Sequence, residues 1–192
     1  MPEVSAFILA GGRSSRMGSD KALLMLDGQT LLERSSDLAR SVAPNLSIVG
    51  PREKFGPDAI EDVYPGQGPL AGIHAALYSS RTDYNLVLSV DTPFVAPEFL
   101  RFLVDESFRN ATTVTVPYVF ERYQPLCAVY RREFLGLADS ALRGGRNKID
   151  PLFCHTTVRR IEEAEIIGLA FEARMFDNLN TPEDFARAQN RR

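Results

Sequence analysis

The apolar run Val4 to Leu9 ends in Ala10-Gly11-Gly12-Arg13-Ser14-Ser15-Arg16-Met17-Gly18-Ser19-Asp20-Lys21, and this junction constrains the fold more than any other part of the chain. A short hydrophobic strand here empties into a loop that carries three glycines, two arginines and a closing lysine. Glycines let backbone N–H groups come close to phosphate oxygens and shape an anion-binding concavity, while the cations offset the remaining charge. The pattern therefore points to a triphosphate. Two other phosphate loops are excluded by counting. A P-loop has four residues between its glycines and then Gly-Lys-Ser/Thr, whereas Gly12 and Gly18 enclose five and Ser19-Asp20 precede the lysine. The dinucleotide fingerprint Gly-x-Gly-x-x-Gly is absent from this loop as well. The competing reading, a glycine-rich surface turn with incidental basic residues, does not account for the strand that precedes it.

Strand-like runs alternate with helix-like stretches along the rest of the chain, the pattern of an α/β fold with a Rossmann-like, doubly wound, mostly parallel sheet. Thr30-Leu31-Leu32-Glu33 reads as a capping box opening a helix to about Val42. Leu46 to Val49 is a second strand, and Ala59-Ile60 a short extended stretch ending at Glu61-Asp62. Pro69 begins a helix through Leu77, and Asn85 to Val90 is a nearly unbroken apolar strand, as expected of one buried on both faces. Ala96-Pro97-Glu98 starts another helix, with proline first and an acid in the opening turn. Strands are expected at Thr113 to Val116 and Leu126 to Tyr130, around a turn near Glu121-Arg122. Helical stretches follow at Glu133 to Leu142 and Lys148 to Phe153, then a strand at Val158 to Ile161. Thr181-Pro182-Glu183-Asp184 caps a last helix to about Gln189. No linker, repeat or low-complexity segment interrupts the 192 residues, so the expectation is one domain over 1–192.

Composition narrows the partners. A hydrophobic fraction of 44% with 24% charged residues suits a globular core, and a net charge of -3 without a basic tract argues against nucleic acid or an anionic membrane. No apolar run approaches bilayer length. Cys127 and Cys154 form no CxxC pair and read as buried free thiols in a reducing, cytoplasmic setting. Two histidines, His74 and His155, cannot make a histidine-rich zinc site, so a metal would be a hard cation on carboxylate and phosphate oxygens.

In an open α/β sheet, ligands sit beyond the carboxyl ends of strands. Three polar elements fall there: the loop after Leu9, Asp62, and Asp91 after its apolar strand. An aspartate ending a buried strand has a fixed direction and suits Mg²⁺; read alone, it equally caps the turn into Thr92-Pro93. Gly66, Gly68 and Ala71 formally fit Gly-x-Gly-x-x-Ala, but Tyr64-Pro65 is no strand, and a loop whose bare backbone meets a flat base or ribose is the better reading. His74, one turn into the following helix, reads as a packed, hydrogen-bonded histidine. Asn178 and Asn180 are two apart, so in extended chain both amides face one side and suit a polar heterocycle. Turn formation and capping by Thr181 explain the same segment, and the residues alone leave the choice open.

Taken in order, LAGGRSSRMGSDK, IED, GPLAGI, SVDTPF, YQPLCAVY and NLNTPEDF resemble the molybdenum cofactor guanylyltransferases over nearly the whole length. The first motif resembles one shared by many nucleotidylyltransferases, while GPLAG with a terminal NxNTPED is more specific to enzymes acting on molybdopterin. The resemblance implies a nucleotidyltransferase, glycosyltransferase-A-like architecture. It also implies transfer of GMP from GTP and Mg²⁺ to the phosphate of molybdenum-bound molybdopterin, giving the guanine dinucleotide and pyrophosphate. By motif it would set Leu9, Ala10, Gly11 and Gly12 against the nucleotide, Lys21 on its phosphates, Asp62 also on GTP, and Asp91 on Mg²⁺. Asn178 and Asn180 would face the pterin. Lys21 and Arg16, with Mg²⁺, would neutralise charge on the α-phosphate and departing pyrophosphate. The family often has asparagine where this chain has Gly50, so no side-chain contact to GTP is expected there. Arg143-Gly144-Gly145-Arg146-Asn147-Lys148 is a candidate for the acceptor's phosphate or a solvated turn. Other cofactor-biosynthesis proteins and molybdoenzyme chaperones are further implied partners. The rivals are a molybdopterin cytidylyltransferase, a sugar-1-phosphate enzyme of the same fold, and a non-catalytic nucleotide-binding adaptor.

Overall fold

Every residue of β1 (Val4–Leu9) is buried, because parallel neighbours flank it on both edges: β4 (Asn45–Val49) on one side and β5 (Tyr84–Ser89) on the other. The computed structural model describes residues 3–11, 21–179 and 181–189. Beyond β5 the sheet continues with β8 (Cys127–Arg131) and then β6 (Val114–Val119), whose far edge carries β9 (Val158–Glu162). β7 (Arg122–Tyr123) pairs with the end of β6 on the same edge that β8 uses further back, since Tyr118 faces both Tyr123 and Glu162. Strands β4, β1, β5, β6 and β9 run one way, and only β8 and β7 run against them. The sheet is mostly parallel, as the alternating pattern predicts. The reversal follows from the hairpin after β6, which returns the chain beside its own strand.

Helices cover both faces, and the alternation of side chains along the strands sorts the core into two layers. Ala6, Ile8, Leu86, Leu88 and Val129 point toward α1 (Leu31–Arg40) and α4 (Pro97–Asn110). Phe7, Leu9, Val87, Val116 and Tyr130 point toward α3 (Pro69–Ser79) and α5 (Phe134–Arg143). α1 opens on the capping box read from Thr30 and Glu33, with both reciprocal bonds formed. α7 (Pro182–Gln189) begins the same way: the Asp184 N–H donates to Thr181 Oγ1 and the Thr181 N–H to Asp184 Oδ2. α3 starts at Gly68, whose φ of 72° is left-handed and suits glycine, with Pro69 next.

Several local expectations change. A small hairpin of β2 (Met25–Leu26) and β3 (Gln29–Thr30) precedes α1, and short helices form at α2 (Arg52–Phe55) and α6 (Glu163–Gly168). The stretch expected as helix at Lys148 to Phe153 is a 3₁₀ segment over Asp150–His155, with Pro151 near its start. β6 runs on through Pro117 to Val119 instead of stopping at Val116. Proline is tolerated there because its nitrogen faces the gap between β7 and β8, where its carbonyl accepts the Gln124 N–H. Cys127 is buried, and burial pushes its thiol up to about 12, whereas Cys154 is exposed rather than buried. No helix among the described residues is long and apolar enough to cross a membrane.

Candidate active site

The carboxyl ends of β4, β1 and β5 lie side by side, and each delivers one of the polar elements. After β1, the Ala10 and Gly11 N–H groups both donate to the Val49 carbonyl at the end of β4 (3.0 and 3.2 Å). Those two donors are therefore spent on the fold, and a ligand at Ala10 and Gly11 meets their Cα surface and carbonyls. Beside them, Gly50 donates to Ile60, and Ile60 to Ile48, so the Ala59-Ile60 stretch extends the sheet past β4 and sets Asp62 beyond its edge. Gly50 has no room for a side chain. A Cβ there would stand 2.8 Å from the Phe55 ring, so Phe55 occupies the space a side chain at 50 would need.

Asp91 follows β5, and the Lys21 ammonium stands 2.8 Å from its Oδ1. The structure thus joins the end of the first loop to the third strand end. The main chain at Asp91 also holds the C-terminal segment, because its carbonyl accepts the Leu179 N–H at 3.0 Å. Leu179 is buried and its neighbour Asn178 lies at the surface of two adjoining cavities. The smaller, about 200 Å³, is lined by Asp91, Gln124 and Cys127; the larger, about 630 Å³, by Phe94, Phe120, Asp177 and Arg187. Asn178 and Arg122 line both.

The loop 62–68 approaches from the α3 side. Burial raises the pKa of the Asp62 carboxyl from its ordinary value, against the pull of His74. His74 is 3% exposed, with Nε2 3.4 Å from Asp139 Oδ1 and Nδ1 without a hydrogen-bond partner among the described residues. Tyr64 packs edge-on against the imidazole and donates its hydroxyl to Asp139 (2.7 Å), while Arg143 pairs with the other Asp139 oxygen (2.9 Å). This cluster fastens the loop to α5. It also uses Arg143 structurally, and none of residues 143–148 lines either cavity. Further along, Leu9 packs on Gly72, where a Cβ would lie 3.1 Å from a Leu9 methyl carbon, so the first and third motifs are in contact.

Of the residues named from sequence, Leu9, Ala10, Gly11, Lys21, Asp62, Asp91 and Asn178 are described, and the strand ends gather the first six at one edge of the sheet. Gly12, Arg16 and Asn180 lie outside the described residues. Arg122 and Phe120 also line these cavities and were not among the residues named from sequence. Their signal was present in the turn near Glu121-Arg122, but only the sheet order brings that turn to the cavities that Asn178 lines.

A mostly parallel sheet wrapped by helices, with Gly11 and Asp91 beyond adjacent strand ends, is the fold of nucleotidyltransferases. The fold is shared with 2-C-methyl-D-erythritol 4-phosphate cytidylyltransferase from Thermus thermophilus, at a TM-score of 0.72 and 22% identity over 98% of both chains. Residues 6–154 match the MobA-like NTP transferase domain, and the chain belongs to that family. It is 34% identical over 194 residues to the molybdenum cofactor guanylyltransferase of Desulfosudis oleivorans, covering 98% of this chain and 96% of that one. It also superposes on the molybdopterin-guanine dinucleotide biosynthesis protein A of Archaeoglobus fulgidus with a TM-score of 0.84 at 28% identity, covering 97% of each.

Proposed function

We propose that this chain transfers GMP from GTP to the phosphate of molybdopterin, releasing pyrophosphate and forming the guanine dinucleotide cofactor. One observation carries the reading: Lys21 and the segment holding Asn178 both converge on Asp91, the ammonium on its carboxylate and the Leu179 N–H on its carbonyl. With Lys21 on the nucleotide's phosphates and Asn178 facing the pterin, nucleotide side and acceptor side would meet at one residue, as a transfer between two bound phosphates requires.

In this reading an oxygen of the acceptor's phosphate attacks the α-phosphorus. The new P–O bond forms as the bond from that phosphorus to the bridging oxygen breaks, and the electron pair leaves with pyrophosphate. The attacking group is already anionic, so no general base is needed; positioning and charge stabilisation do the catalysis. Lys21 supplies positive charge at the phosphates, and Asp62 with the 62–68 loop holds the nucleoside. Asp91 fits a divalent cation, because Mg²⁺ is usually held by one or two carboxylates and completed by substrate phosphates and water. Among the described residues no group of three or more His, Cys, Asp or Glu side chains gathers to hold a metal unaided. Bound at Asp91, Mg²⁺ would supply charge neutralisation on the triphosphate oxygens. The chain would act as one domain in the cytoplasm, where GTP is available.

The test is turnover of purified protein with GTP and molybdopterin, with CTP and ATP as controls and pyrophosphate release as the readout. Guanine dinucleotide formed from GTP alone supports the reading. Preference for CTP makes the protein a cytidylyltransferase, and absence of pyrophosphate with every nucleotide makes it a binding protein.

A further inference from the structure

The turn from β6 to β7 is built from residues that fit it poorly. Val119 and Arg122 face each other across a two-residue connection, and both connecting residues are left-handed: Phe120 at φ 55° and Glu121 at φ 57°. Two positive φ values are what a tight hairpin needs, and asparagine followed by glycine is the usual solution. A bulky aromatic residue there sits in a sparsely populated conformation, retained only when its surroundings enforce it. The surroundings do so: the Phe120 N–H donates to Glu163 Oε2 at 2.9 Å, and Gln124, itself buried, donates to the Val119 carbonyl. Despite this anchoring Phe120 is 43% exposed, at the wall of the larger cavity.

Arg122 follows directly and lines both cavities. The other arginine of the larger cavity, Arg187, is paired with Asp184. The Arg122 guanidinium has no hydrogen-bond or ion-pair partner among the described residues. A strained, exposed aromatic residue and an arginine without a partner among the described residues thus stand on one hairpin, at cavities that Asn178 also lines.

We infer that the β6–β7 hairpin is the acceptor clamp: Phe120 stacks on the pterin in the larger cavity, and Arg122 takes the acceptor's phosphate where the cavities join. The inference rests on the reaction proposed above and adds an orientation to it. Aromatic faces stack flat heterocycles without demanding a particular hydrogen-bond pattern, and Asn178 supplies that pattern from the other wall. A guanidinium matches phosphate geometry with a two-pronged fork. Since Arg122 and Asn178 are shared and Asp91 lines only the smaller cavity, the acceptor lies with its ring outward and its phosphate toward Asp91.

Arg122→Ala and Phe120→Gly test this, with molybdopterin and GTP each titrated calorimetrically, a melting curve, and turnover. Arg122→Ala is expected to weaken molybdopterin binding about 10- to 100-fold, the effect of losing a charged hydrogen bond, with unchanged GTP affinity. Phe120→Gly is expected to weaken molybdopterin about tenfold, the scale of one lost aromatic stack. Its melting temperature should not fall, because glycine relieves the left-handed turn. Molybdopterin affinity equal to the parent's in both variants overturns the clamp. So does a Phe120→Gly protein that melts early and loses both ligands together, which would make Phe120 a structural residue. If the parent chain binds molybdopterin but forms no dinucleotide, the reaction fails while the titrations still judge the clamp.

Discussion

Replacing Gly50 tests how tightly the nucleotide loop is built. A Cβ at position 50 would stand 2.8 and 2.9 Å from two carbons of the Phe55 ring and 3.2 Å from the Gly11 nitrogen. Contacts under 3.0 Å do not persist, so the ring must turn away or the strand end must shift. Overpacking of this kind costs about 1–3 kcal/mol. For a chain of this size each kcal/mol lowers the melting temperature by about 2–4 °C, which gives a drop of about 2–12 °C for Gly50→Ala. The two contacts separate in a double-mutant cycle. Phe55→Ala removes the ring, so the double variant should be less destabilised than the sum of the single changes, by about 1 kcal/mol or more. The approach to the Gly11 nitrogen remains in the double variant. Because that backbone belongs to the loop assigned to the nucleotide, the Kd for GTP should stay raised even after stability returns. Circular-dichroism melts and GTP titrations of the parent chain, both single variants and the double variant give all the terms. A Gly50→Ala protein that melts with the parent, or additive effects of the two changes, would refute the packing argument.

Asp91→Asn should lower turnover by several orders of magnitude with the circular-dichroism spectrum intact, since it removes the carboxylate on which Lys21 and the proposed Mg²⁺ depend; near-normal rates at limiting Mg²⁺ would reject the assignment. Lys21→Ala should lower kcat far more than it raises KM for GTP, because other contacts hold the ground state while charge on the transferred phosphate has fewer partners; steady-state kinetics with a larger KM effect would make Lys21 a binding residue only. His74 supplies a pH dependence of stability. Burial lowers its pKa, Asp139 and Asp62 oppose this, and Arg143 adds to it. The folded state therefore binds fewer protons than the unfolded state below the ordinary histidine value of about 6.5. Stability from this residue is complete above that pH and is lost as pH falls toward the folded pKa. Denaturant melts of parent and His74→Asn should diverge on acidification below about pH 6.5, and parallel curves would show that the imidazole is not the titrating group.

Much of this protein follows from local chemistry. The strand Val4–Leu9, the capping boxes at Thr30 and Thr181, Gly68-Pro69 opening α3 and the buried strand before Asp91 are all written in short stretches of residues, because hydrophobic period, caps and turn chemistry act within a few positions. The motifs likewise named Lys21 and Asp91 without any knowledge of their distance. Tertiary structure decided what neighbours what. Reversal of β8 between β5 and β6 is set by sheet pairing across distant segments, and a hairpin signal alone does not say which strand its second arm will join. The same pairing brought Arg122 and Asn178, 56 positions apart in sequence, to the walls of the same two cavities, whereas the turn of Arg143 toward Asp139 is a local pair one helical turn apart within α5. A charged side chain on a loop carries no local mark of its partner. Its role depends on which strand ends converge around it, and that is a property of the assembled sheet.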